Sequence, residues 1–178
     1  MDKKDELYYD AMDFISMGEN NKAIDLLQEA LIMDKDYVQT YVGLVAAYDN
    51  AGDDKKRIKA TEIGFEKTKK KFTKWPKEMH WGNMDNRAYL RAIQYMGELY
   101  WDSGNLEGAI EIFRLLLKLN PGDNQGIRYE IVALYAGLSG EDVDKMFEDG
   151  NKTQNWDELE ILVETQNKKH NFRVEYDF

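Results

Sequence analysis

The sequence predicts an all-α chain of antiparallel helix pairs stacked into a superhelix. Three observations carry this. An aromatic stands four residues before a glycine at Phe14 and Gly18, Tyr48 and Gly52, and Tyr100 and Gly104. Gly18 and Gly52 lie 34 residues apart, and another 34 beyond Gly104 reaches Leu138, with Leu134 four before it. The 52 residues from Gly52 to Gly104 are one such period plus an insertion of 18. Finally, 2 prolines and 13 glycines are too few turn formers for a β architecture and suit helices with short connections.

Each unit repeats the same physical parts. Apolar residues fall at helical spacing: Leu7, Ala11 and Phe14 in the first helix, Ile24, Leu27 and Leu31 in the second. The second unit carries Tyr41, Leu44, Val45 and Tyr48, then Arg57 and Thr61. Arg57 departs from the pattern, because that slot otherwise holds a small residue where two helices touch. The third unit has Ile93, Met96, Gly97 and Tyr100, then Ala109, Ile110, Phe113, Leu116 and Leu117, and ends at Pro121. The fourth has Ile127, Ile131 and Leu134, then Val143 and Phe147. Ala11, Ala23, Gly97 and Ala109 let paired helices approach closely. Gly18, Gly52 and Gly104 end the first helix of each pair, where a left-handed residue closes a helix. Asp53, Asn105 and Ser139 are expected N-caps of the second helices. One pair cannot bury its apolar face alone, so neighbours must stack.

A period of 34 with this pattern resembles the tetratricopeptide repeat, W-x2-L-G-x2-Y, then A-x3-F, then P. The third unit fits it closely through Met96, Gly97, Tyr100, Ala109, Phe113 and Pro121. The resemblance spans roughly residues 4–155 and implies one domain over 1–178. Its repeats are expected at about 4–37, 38–71, 90–123 and 124–155, with an insertion at about 68–89. A capping helix at about 155–169 (Trp156, Leu159, Leu162, Val163) and a tail at 170–178 would follow. Within the third and fourth units, the NRAYLRA and LNPGDNQGIRY segments are similar to a set of uncharacterised bacterial and archaeal tetratricopeptide proteins. Some of those end in a SEC-C metal-binding motif, and an animal relative is the family named for suppression of tumorigenicity. With no cysteine, this sequence lacks the SEC-C motif, and any function linked to that motif does not carry over.

Composition narrows the function. With 43% hydrophobic and 12% aromatic residues, the chain can bury a core despite a formal charge of −10. No apolar run reaches the ~18–20 residues that cross a bilayer, and the charged start does not read as a secretory signal, so a cytoplasmic address is expected. The absence of cysteine excludes disulfides, thiol catalysis and the common structural zinc sites. His80 and His170 have no second ligand at metal spacing, and neither a G-x-S-x-G turn nor a phosphate loop is present. No catalytic residue, metal or cofactor is therefore expected, and the carboxylates read as solvated helix faces.

Charge is uneven. Residues 53–77 hold ten Lys or Arg against four Asp or Glu, while residues 1–36 hold four against ten and residues 139–178 five against eleven. A basic helix could meet an acidic partner or RNA, but the whole molecule repels phosphate, so a solvated face is expected and nucleic acid is not. The insertion aromatics Trp75 and Trp81 are expected to pack down, with an exposed binding loop as the alternative.

What remains is binding. The resemblance implies that the first helices of the pairs line an inner, concave face. By register, the expected partner-binding residues are Tyr8, Met12, Arg91, Gln94, Tyr95, Trp101, Gln125, Arg128 and Tyr129. Aromatics beside arginine and amide groups are typical of interface hot spots. For Arg91 and Arg128 two readings stand: they bind a partner carboxylate, or they pair with Glu98 or Glu130 and lock adjacent repeats. Tyr8, Met12 and Gly43 replace the Lys and Asn of the dicarboxylate clamp found in some relatives, which disfavours a chaperone co-factor. The expected partner is a protein or peptide, with no membrane; the alternative is a self-associating scaffold, a homo-oligomer.

Overall fold

The computed structural model describes residues 2–172, and it is 76% helical with no strand among them. Nine helices follow one another: α1 (Lys3–Ser16), α2 (Asn20–Met33), α3 (Val38–Asn50), α4 (Asp54–Lys71), α5 (Met84–Asp102), α6 (Leu106–Leu119), α7 (Ile127–Ala136), α8 (Gly140–Thr153) and α9 (Asp157–His170). They pack in consecutive pairs, as the all-α superhelix reading requires. Of the expected tail, residues 173–178 lie outside the described residues.

The turns form where their chemistry is encoded. Gly18, Gly52 and Gly104 have φ of +76°, +69° and +79°, the left-handed conformation that costs glycine little. Asp53, Asn105 and Ser139 each accept a backbone N–H three residues on, from Lys56, Gly108 and Asp142, and so satisfy donors that α4, α6 and α8 leave open. The fourth unit corrects the register by one residue. Its left-handed C-cap is Gly137, φ +70°, and Leu138 follows it.

The chain forms two compact units: residues 1–75 with 83–99, and residues 76–82 with 100–178. In the first, α1 packs on α2, α2 on α3, α3 on α4, and α1 also meets α3. Leu27, Ala11, Ala23, Leu44 and Ala47 centre its core, and all five are buried. Small residues set the spacing. A β-carbon on Gly64 would sit 3.1 Å from the Tyr41 β-carbon, so α4 meets α3 at a distance that a larger residue would crowd. The exposed turn of α4 and the chain beyond it also belong here: the Phe72 ring stacks on Trp75 and meets Tyr89 edge-on, 5.0 Å between centroids.

In the second unit α6, α7, α8 and α9 pack in sequence, with α7 also against α9. Ala133, Val143 and Leu159 form a buried cluster, joined by the half-buried Trp101, Tyr129, Leu138, Met146 and Phe147. Met79, from the segment between α4 and α5, is buried at 2% exposure, and its N–H donates to the Leu119 carbonyl. Arg114 ties the end of α9: its guanidinium donates to the His170 carbonyl at 2.6 Å and the Tyr135 hydroxyl at 2.8 Å, while Tyr135 stacks on the His170 ring. The His170 carbonyl is one that a helix end leaves open.

Candidate functional site

The nine residues expected to bind divide between the two units. Tyr8, Met12, Arg91, Gln94 and Tyr95 lie in the first; Trp101, Gln125, Arg128 and Tyr129 lie in the second.

In the first unit, α1 supplies Tyr8 and Met12 from the apolar stripe that also carries Leu7 and Ala11. Tyr8 is buried at 7% exposure and meets Tyr9 and Tyr37 edge-on. Met12 and Tyr95 pack, half-buried, against the same core. α5 brings Arg91, Gln94, Tyr95 and Glu98 onto the adjoining face through its i, i+3, i+4 and i+7 spacing. Arg91 hydrogen-bonds the Tyr8 hydroxyl. Burial raises the Tyr8 pKa, and Arg91 opposes that shift. Burial also raises Tyr95, with help from Glu98 and Asp49 and against Arg91. Tyr8, Asp49, Arg91, Tyr95 and Glu98 are thus close enough to feel one another's charge. The result is an aromatic surface carrying a guanidinium, an amide and two carboxylates.

In the second unit, the arrangement is set by the turn before α7. Asp123, with φ +46° and its side chain 2% exposed, accepts from the Ile127 N–H at 2.7 Å and the Arg128 N–H at 3.2 Å. The same carboxylate holds the Arg128 guanidinium at 2.9 Å. So Asp123 caps α7, although the residue at the helix boundary is Gly126, φ +76°. Gln125 sits half-buried in that turn, before the first helical residue. Arg128 also donates to the Tyr129 hydroxyl at 2.6 Å, and its guanidinium lies over that ring. Tyr129 in turn donates to Glu160 of α9 at 2.8 Å and meets Phe147 edge-on. The carboxylate that holds Arg128 is therefore Asp123. Spacing alone offers Glu98 and Glu130, because it says nothing about a side chain reaching forward from a turn. Trp101 meets Phe113 edge-on, 6.4 Å between centroids.

No group of three or more His, Asp or Glu residues that could hold a metal ion occurs among the described residues. No helix among them is long and apolar enough to cross a membrane.

Residues 90–123 match the family model of the tetratricopeptide repeat. That match, with nine helices in consecutive pairs among the described residues, supports a protein of the tetratricopeptide-repeat type. Such repeats are generally non-enzymatic and suggest a protein–protein interaction module. No curated protein matches the chain significantly.

Proposed function

We propose that this protein is a non-enzymatic interaction module that binds a peptide or protein segment along the face made by α1, α3 and α5, the concave side of the repeat superhelix. One observation carries the reading: Tyr8, Arg91 and Tyr95 adjoin one another on an otherwise packed unit, with Asp49 and Glu98 beside them. The half-buried Tyr95 ring, backed by the buried Tyr8, offers contact area at little entropic cost, while arginine and glutamine fix the register of a peptide backbone or carboxylate. Met12 lends an adaptable apolar surface. Trp101, Gln125 and Tyr129 offer a comparable surface on the second unit, where Arg128 serves as the anchor of Tyr129 rather than as a free cation.

Selection of a displayed peptide library on the whole chain tests this. Arg91→Ala with Gln94→Ala, on a chain that still melts cooperatively, should lose at least about tenfold in affinity for the selected peptides, or ~1.4 kcal/mol. Equal binding by the double variant would sink the reading. Self-association is the second reading, favoured by Ile161, 63% exposed on α9 beside the partly exposed Trp156. Light scattering separates the two: a mass that rises with concentration, and falls back in Ile161→Lys, would support the scaffold.

A further inference from the structure

The first unit carries a second recessed surface, built from the N-terminal ends of α1, α3 and α5 together with the C-terminal end of α4. It is a cleft of about 440 Å³ between the start of α1, the α2–α3 turn, the end of α4 and the start of α5. Tyr37 and Tyr89 line it with Val38, and four lysines stand around it: Lys4, Lys67, Lys70 and Lys71. A neighbouring recess of about 370 Å³ shares Tyr37, Val38, Lys71 and Tyr89 and runs on to Phe72. Two of the lysines are already matched. Lys4 reaches Asp34 and Lys67 reaches Asp36, each at 2.6 Å. Lys70 and Lys71, both exposed, form no ion pair within 4 Å among the described residues, and Lys70 reaches Asp36 only as a more distant charge. Across the two recesses, four ammonium groups stand against the carboxylates of Asp34, Asp36 and Asp85, a lining net positive by one on a chain whose formal charge is −10.

We propose that this cleft docks an acidic segment of a partner protein, in which carboxylates alternate with apolar or aromatic side chains. The complementarity is twofold. Lys70 and Lys71 supply the two unmatched cations, and Tyr37, Tyr89 and Phe72 supply flat apolar surface between them. The same features disfavour a nucleic acid. Such a ligand places a phosphate at every residue and gains affinity by engaging many cations at once. Here Asp34 and Asp36 stand inside the cleft and already occupy two of the four.

The test is binding by fluorescence anisotropy with three labelled probes. These are a short peptide alternating glutamate with leucine and phenylalanine, the same peptide with every glutamate replaced by glutamine, and a single-stranded RNA of similar length. The intact chain should bind the acidic peptide, more weakly as salt rises, and should not bind the glutamine peptide. Lys70→Glu with Lys71→Glu should weaken binding by at least about tenfold at an unchanged melting temperature. Lys55→Glu with Lys59→Glu makes the same change of charge on α4 away from the cleft and should bind as the parent does. Arg91→Ala should also bind as the parent does, which separates this cleft from the surface around Tyr8, Arg91 and Tyr95. Equal loss in both lysine pairs, equal binding of the glutamine peptide, no binding of the acidic peptide, or tighter binding of the RNA would each overturn the proposal.

Discussion

Asp123 shows how one side chain can hold several parts of the molecule at once. It receives two N–H groups of α7 and the guanidinium of Arg128, and through Arg128 it fixes Tyr129 and its bond to Glu160. Removing one member of a buried ion pair leaves the other charge uncompensated. Asp123→Ala should therefore cost about 3 kcal/mol, read as a lower urea midpoint at an unchanged slope, whereas Arg128→Met should cost clearly less. Equal effects would mean that the ion pair, and not the cap, dominates. A second residue-scale expectation concerns tyrosine. Tyr8, Tyr37, Tyr41, Tyr89, Tyr95 and Tyr129 are all raised, each first by burial; Tyr37 and Tyr129 are raised further by donating to Asp5 and Glu160. A folded pKa above the unfolded value of about 10 means that this contribution to stability is complete below pH ~10. It is lost as pH rises through the folded values. The urea midpoint should thus fall steeply above pH ~10, with one class of tyrosines ionising only as the helix signal is lost. Ionisation of every tyrosine near pH 10 on an intact helical chain would contradict the burial described here.

Among the elements, the helix pairs were legible because aromatic, small and turn positions recur together. Gly18, Gly52 and Gly104 carry the positive φ that their place in the repeat requires, and Asp53, Asn105 and Ser139 cap as expected. Where the pattern weakens, so does the reading. The fourth unit slipped by one because Gly137 has no aromatic four residues before it, and Leu138 completed the count instead. The start of α7 depends on a side chain reaching forward from a turn residue of positive φ, which no period reveals. Arg57 breaks the small-residue slot of the second unit, and its side chain stays at the surface side, paired with Asp54 and Asp49. Close approach falls to Gly64 instead. Gly64→Leu should overpack the α3–α4 contact by about 1–3 kcal/mol, lowering Tm by several degrees. Gly140→Ala, at a glycine whose added β-carbon would meet nothing within 4 Å, should leave Tm unchanged or slightly higher. Equal melting of the two variants would show that α4 does not pack on α3 as described.

At the scale of the whole molecule, the candidate surfaces were only partly legible. Repeat register pointed to residues on the first helices of the pairs, because side chains on a helix follow from spacing alone. Which of them are free to meet a partner did not follow, since Arg128 is held by a residue five positions away in a turn. The basic cleft was hidden for a related reason. Lys4 with Asp34 and Lys67 with Asp36 are pairs about thirty residues apart, and they meet only because successive repeats stack. The run of charge in residues 53–77 therefore looked like a uniform solvated face, although part of it surrounds a recess floored by tyrosine.

The central claim is that α1, α3 and α5 present the binding face, and nuclear magnetic resonance tests it most directly. A peptide selected on the intact chain is titrated into isotope-labelled protein, and the backbone amide shifts are followed. Perturbation should centre on Tyr8, Met12, Val42, Asp49, Arg91, Gln94 and Tyr95, and it should vanish in the variant combining Arg91→Ala and Gln94→Ala. Shifts centred instead on α2 or the exposed side of α4, and persisting in that variant, would contradict the account.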